Sequence, residues 1–100
     1  MAIQIVWSDE AQNAYNENIN YLQQEWSDKE VANFVADTWR VLKRIEIFPE
    51  SYPVSATNKK YRKARLNKYI VLFYDYRKTA RTIQLITFWN TKQNPSKLNH

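Results

Sequence analysis

Glycine is missing altogether from this 100-residue chain. Loops that cradle phosphate, of the P-loop or the dinucleotide-binding kind, need glycine where the backbone closes on the ligand, so nucleotide cofactors held that way are excluded. Cysteine is missing too. Disulfide frameworks, zinc ribbons and cysteine nucleophiles go with it, and the composition leads us to expect a cytoplasmic protein with no metal and no cofactor. The one histidine is His100, the last residue. Ser-His chemistry thus lacks its usual base, and any reaction would fall to carboxylates, tyrosines, lysines or arginines. Long apolar runs are scarce as well. The longest beyond the N-terminus is Tyr69 to Tyr74, and Met1 to Trp7 has no basic stretch leading into a longer apolar one, so neither a signal peptide nor a membrane span is expected.

What remains suffices for one core. Apolar residues make up 44% and aromatic residues 15% of the chain, which excludes disorder for its bulk and implies one domain over residues 1–100. Charge is divided unevenly. Before Asn58 stand four basic and nine acidic residues, and from Asn58 onward eleven basic and one acidic, so the halves carry −5 and +10. A +10 charge on some forty residues is an electrostatic footprint for a polyanion or an acidic protein segment, and Lys59, Lys60, Arg62, Lys63, Arg65, Arg81 and Lys92 are its candidate contacts. The plain alternative is a set of solvated strands.

The periodicities divide the chain into four regions. Ile3 to Trp7 reads as a strand, and Ser8, followed by Asp9 and Glu10, as the cap and first turn of a helix. Ala11, Tyr15, Ile19, Leu22 and Trp26 then draw one inward stripe. Ser27-Asp28-Lys29-Glu30 has the pattern of a capping box opening a second helix, whose apolar face runs through Val31, Phe34, Val35, Thr38, Trp39, Leu42, Ile45 and Phe48 until Pro49 stops it. Trp7, Trp26 and Trp39 are assigned to packing, Trp39 between the second helix and the sheet. Glu50 to Asn58 is a connector. From Lys59 the period becomes two, with Lys60, Arg62, Ala64 and Leu66 on one face and Lys59, Tyr61, Lys63 and Arg65 on the other. Asn67-Lys68 turns the chain into Tyr69–Tyr76, and a second turn leads to Arg81–Phe88, with Ile83, Leu85 and Thr87 on one face and Ile86 and Phe88 on the other. The expected fold is α+β, in the order β-α-α-β-β-β, with a helical hairpin on one face of a twisted, mostly antiparallel sheet. Tyr61, Tyr74, Tyr76 and Trp89 could stack on nucleobases or fill the core. Asp75, alone among cations, reads as an ion-pair partner.

Val6-Trp7-Ser8-x-x-Ala11, Tyr21, the Phe48-Pro49 stop, the Arg65 to Tyr76 hairpin and the ending Phe88-Trp89-Asn90-Thr91-Lys92-Gln93-Asn94-Pro95-Ser96-Lys97-Leu98 together resemble the RelE/ParE superfamily of toxins from type II toxin-antitoxin systems. The resemblance implies a bacterial, plasmid-stabilisation type of protein that arrests growth and is neutralised by a cognate antitoxin. It also implies one of two mechanisms. RelE-like members are ribosome-dependent mRNA endoribonucleases, which need cations for the pentacovalent oxyanion and a group to move the proton; Lys60, Arg62, Arg65 and Lys92 are the candidates for that work. The pattern departs from that type at Tyr69-Ile70-Val71-Leu72, where an arginine is missing, at Lys92, which stands for an arginine, and at the end of the chain, which lacks the tyrosine. ParE-like members bind and inhibit DNA gyrase without catalysis, and the departures favour that type. The partners implied are an antitoxin and either DNA gyrase or the ribosome with its mRNA. A non-toxic module that binds an antitoxin or nucleic acid stays open as a third reading.

Overall fold

The computed structural model describes residues 3–92. The chain runs through β1 (Gln4–Trp7), α1 (Asp9–Glu25), α2 (Asp28–Ile47), β2 (Arg62–Arg65), β3 (Ile70–Arg77) and β4 (Thr82–Asn90). Both helices pack on a four-stranded mixed sheet of order β1-β4-β3-β2, with β1 parallel to β4 and the other pairs antiparallel. This is the expected α+β architecture, and the two most apolar strands, β3 and β4, take the interior places.

Local chemistry explains each start and stop. The Ser8 hydroxyl accepts from the Ala11 amide at 3.0 Å and caps α1, while donating to the Ile86 carbonyl at 3.1 Å. At α2 the expected capping box is not made. Ser27 has the extended cap backbone but no side-chain bond, and its carbonyl instead receives the Glu30 and Val31 amides. α2 ends at Phe48, whose amide bonds the Arg44 carbonyl at 2.7 Å, because Pro49 disfavours helical geometry in the residue before it. In the β2–β3 turn the Asn67 carboxamide oxygen accepts from the Tyr69 and Ile70 amides at 2.8 and 3.0 Å, and so does a backbone turn's work.

The core unites Ala11 of α1, Phe34, Val41, Leu42 and Ile45 of α2, and Ala64, Leu66, Ile70, Leu72, Tyr74, Ile83, Leu85 and Phe88 of the sheet region. Trp7, Tyr15, Phe34 and Phe88 form an aromatic knot there, with ring centroids between 5.1 and 6.3 Å apart.

Four expectations are corrected. Trp39 is 62% exposed and Phe48 59%; the inner face of α2 is defined by Phe34, Thr38, Val41, Leu42 and Ile45, and Trp39 lies one step round the helix from it, beside a strand only four residues long. Trp26 is 49% exposed, since the inward stripe of α1 runs out at the C-cap. Phe88 shares the helix-side face with Ile83 and Leu85, and Thr87 lies on the other. The register slips between Phe73 and Tyr74, leaving Ile86 without a residue opposite it, and this bulge reverses the alternation. Lys59 to Tyr61 form a turn rather than the start of β2.

Candidate functional site

The β2–β3 hairpin sorts its cations by face. In the antiparallel register Arg62 lies opposite Tyr74 and Ala64 opposite Leu72, both on the helix side, while Lys63 opposite Phe73 and Arg65 opposite Val71 stand on the other side of the sheet. Arg62 is tied down. Its guanidinium donates to the Tyr52 carbonyl at 2.7 Å and lies 3.6 Å from the Glu50 carboxylate, strapping the 50–61 connector to the sheet. The same strap is fastened by the Tyr74 hydroxyl, which donates to the Pro49 carbonyl at 2.7 Å. Burial pushes the Tyr74 hydroxyl up to about 12, against the pull of the nearby Arg62 charge. Tyr74 is therefore a structural donor and is not free to stack. Tyr61, Tyr76 and Trp89 are half-buried. Tyr15, in the aromatic knot, is also raised by burial, opposed by its hydrogen bond with Thr38.

The remaining candidates are spread out. Lys59 and Lys60 are exposed in the turn before β2. Arg65 donates to the Lys68 carbonyl at 3.0 Å. Arg81 sits in the β3–β4 turn, next to the Arg77–Thr82 end of the ladder, and Lys92 just beyond the Ile70–Asn90 end. Seven strand residues separate those ends, roughly 23 Å at the usual rise per residue. Asp75 is buried and pairs with Arg77 at 3.3 Å.

The structure also forms a cleft that the sequence reading did not find. It has a volume of about 230 Å³ and opens between the end of α1, the first half of α2 and the β2–β3 turn; Tyr21, Trp26, Glu30, Asn33, Lys68, Tyr69 and Lys92 are among its walls. The Lys92 ammonium stands 4.5 Å from the Tyr69 ring centre and 5.9 Å from that of Trp26, and the Lys68 ammonium 5.6 Å from Tyr69. At its floor the Asn90 carboxamide oxygen receives the Lys92 amide at 2.9 Å while its nitrogen donates to Asn18 of α1 at 3.3 Å. The signal in the sequence was Trp26 immediately before the helix break at Ser27, together with a lysine-aromatic pair, Lys68-Tyr69, leaving a tight turn.

Among the described residues no group of three or more His, Cys, Asp and Glu side chains is placed to hold a metal ion, and no helix is long and apolar enough to cross a membrane. No family model and no curated protein matches the chain. Solved structures do. A YoeB/ParE toxin from Agrobacterium tumefaciens superposes with a TM-score of 0.66 at 14% identity, covering 88% of this chain and 98% of its own. The chain has the YoeB/ParE toxin fold. A YoeB-YefM toxin-antitoxin heterotetramer from Staphylococcus aureus also matches, with a TM-score of 0.55 at 21% identity and coverage of 87% and 94%. In terms of the YoeB/ParE fold, the cleft lies under the helical hairpin, whereas Lys63 and Arg65 stand on the sheet face away from it. The stretch Gln93 to Leu98, which carried part of the resemblance, lies outside the described residues.

Proposed function

We propose that this chain is the cytoplasmic toxin of a type II toxin-antitoxin pair, that a cognate antitoxin neutralises it, and that it arrests growth by binding and inhibiting an essential target. DNA gyrase is the target expected of the ParE-like type. The fold shared with a YoeB/ParE toxin and with a YoeB-YefM complex supports the toxin reading. One observation carries the choice of binding over cleavage. Arg62 and Arg65 project from opposite faces of β2, and Arg62 is already committed to Tyr52 and Glu50. A phosphoryl-transfer site needs its cations converging on one oxyanion, and the set Lys60, Arg62, Arg65 and Lys92 does not converge. Such cations serve a binding surface instead. Their loss should cost about 1 to 3 kcal/mol each where they meet the target.

A second reading has one feature in its favour: the Trp26–Tyr69 cleft with Lys68 and Lys92 at its rim suits a base with its phosphate, as a ribosome-dependent endoribonuclease would require. Induced expression followed by two readouts separates the readings. Supercoiling of a reporter plasmid should change and the 5′ ends of ribosome-bound messenger RNA should stay as they were. Codon-positioned cuts within minutes of induction would overturn the gyrase reading, and unimpaired growth with neither change would leave a non-toxic binding module. The acidic segment expected of an antitoxin belongs on the +10 half; binding that ignores charge reversal at Lys63 and Arg65 would refute that placement.

A further inference from the structure

The cleft under the helical hairpin holds charges of both signs and leaves three of them unpaired. On one side stands Glu30, half-buried in the first turn of α2; the helix end offsets part of its charge, but no cation meets it. On the other side stand Lys68, in the β2–β3 turn, and Lys92, just beyond β4. Their ammonium groups rest on aromatic rings, both on Tyr69 and that of Lys92 also beside Trp26, which holds them in place without neutralising them. Among the described residues none of these three side chains has an ion-pair or hydrogen-bond partner. Asp37, two turns along the same wall from Glu30, shows the contrast: its carboxylate is paired with Arg40 at 3.3 Å. Between the two signs the lining is apolar, with Leu22 of α1 and Ile70 at the start of β3.

From this we infer that the cleft is a binding site for a free α-amino acid with an apolar side chain. Its carboxylate is received by Lys68 and Lys92, its ammonium by Glu30, and its side chain lies against Leu22 and Ile70. The unpaired charges of opposite sign decide the class. A ligand with one charge answers one wall and leaves the other bare, whereas an amino acid carries both signs on one carbon and gives each wall a charge-assisted hydrogen bond. Glu30 counts against a nucleotide here, since a phosphate suits the lysines but brings further negative charge toward that carboxylate and no cation for it. Size points the same way. A volume of about 230 Å³ is the room of roughly eight waters, enough for one amino acid and too little for a peptide. Because α1, α2, the β2–β3 turn and the end of β4 all contribute to the walls, an occupant ties them together and stabilises the folded chain. The site is separate from the face that carries Lys63 and Arg65, and the inference does not depend on the toxin reading.

The test is isothermal titration calorimetry of the purified full chain with L-leucine at low salt, with thermal unfolding followed by circular dichroism as a second readout. Saturable one-to-one binding is expected, with a melting temperature that rises as leucine is added. Isoamylamine, which is leucine without its carboxylate, and isocaproate, which is leucine without its ammonium, should each bind at least about tenfold more weakly. Glu30→Gln and Lys92→Gln should each weaken leucine by a similar factor. Glu30→Gln should also bind isocaproate better than the parent does, a gain that a misfolded variant cannot give. No heat and no shift in melting at millimolar leucine overturns the inference. So does leucine bound no better than its two analogues, or binding indifferent to both substitutions, which would place the ligand elsewhere. Adenosine monophosphate bound where leucine is not would assign the cleft to a nucleotide and overturn it equally. None of these outcomes touches the supercoiling readout, so failure here leaves the toxin reading standing.

Discussion

Asn18 is the residue whose removal should cost most for its size. It is 3% exposed, in a helix whose only other buried residue is Ala11, and its carboxamide nitrogen donates to the Phe88 carbonyl of β4 at 3.2 Å as well as to its own turn at Ala14. Its oxygen accepts from Asn90 at 3.3 Å. β1 ends too early to cover the whole edge of β4, so side chains take over. The Ser8 hydroxyl serves the Ile86 carbonyl and Asn18 serves Phe88, continuing the ladder where no strand is left. Asn18→Ala leaves two buried polar groups unpaired, the Phe88 carbonyl and the Asn90 amide, at about 1 to 3 kcal/mol each. The loss should thus total about 2 to 6 kcal/mol, a large part of what a domain of this size holds in reserve. Urea denaturation at pH 7, followed by tryptophan fluorescence and by helical circular dichroism, measures it. A double-mutant cycle with Asn90→Ala should return a coupling of about 1 kcal/mol or more, because the second substitution removes one of the groups orphaned by the first. An Asn18→Ala midpoint that implies less than 1 kcal/mol would refute the argument, as would strict additivity in the cycle.

Trp39→Ala in dilute solution should change stability by less than about 1 kcal/mol, whereas Phe34→Ala in the aromatic knot should lose about 3 to 5 kcal/mol, both read from denaturation midpoints. Tyr74, with its hydroxyl at about 12 in the folded chain, ionises near 10 when unfolded, so the folded state keeps a proton that the unfolded state gives up. Its contribution is whole below pH 10 and lost as the pH rises toward 12; the stability of the parent should fall more steeply over that window than that of Tyr74→Phe, and parallel curves would count against it. Arg81 has a φ of 50°, in the left-handed region, so thermal melts should rank Arg81→Gly at or above the parent and Arg81→Val below it by about 1 to 2 kcal/mol.

The fold was legible because its signals are short-range. Ser8 before Asp9 and Glu10, Pro49 after a wide apolar face, and Asn67-Lys68 between two runs of period two each act within a few residues of themselves. What escaped depends on distance across the fold. Nothing near Ile86 announces a bulge, since the slip exists only in the pairing of β4 with β3, and so Phe88 and Thr87 were assigned to each other's faces. Trp39 and Phe48 fit the apolar stripe of α2; only the shortness of β1 leaves Trp39 uncovered. The basic candidates share a charge and not a face: alternation alone separates Arg62 from Lys63 and Arg65, but which face the helices cover is decided only by the packing of the β2–β3 hairpin. Arg62 and Arg65, three apart, cannot share a face. The cleft draws on α1, α2, the β2–β3 turn and the end of β4 at once, a meeting that no local pattern records.

The parallel pairing of β1 with β4 joins Gln4 to Thr82 and Trp7 to Leu85, so β1, made long before β4, must wait for it. Until β4 has emerged, α1 has no strand to anchor Asn18, Ser8 has no Ile86 carbonyl to grip, and the aromatic knot lacks Phe88. A nascent chain can form the helical hairpin and then the β2–β3 hairpin, both of them local, but it cannot close the sheet. Folding is thereby deferred until β4 has emerged. A chain cut short before Thr82 yields no smaller folded version of the protein, only two hairpins without a common core.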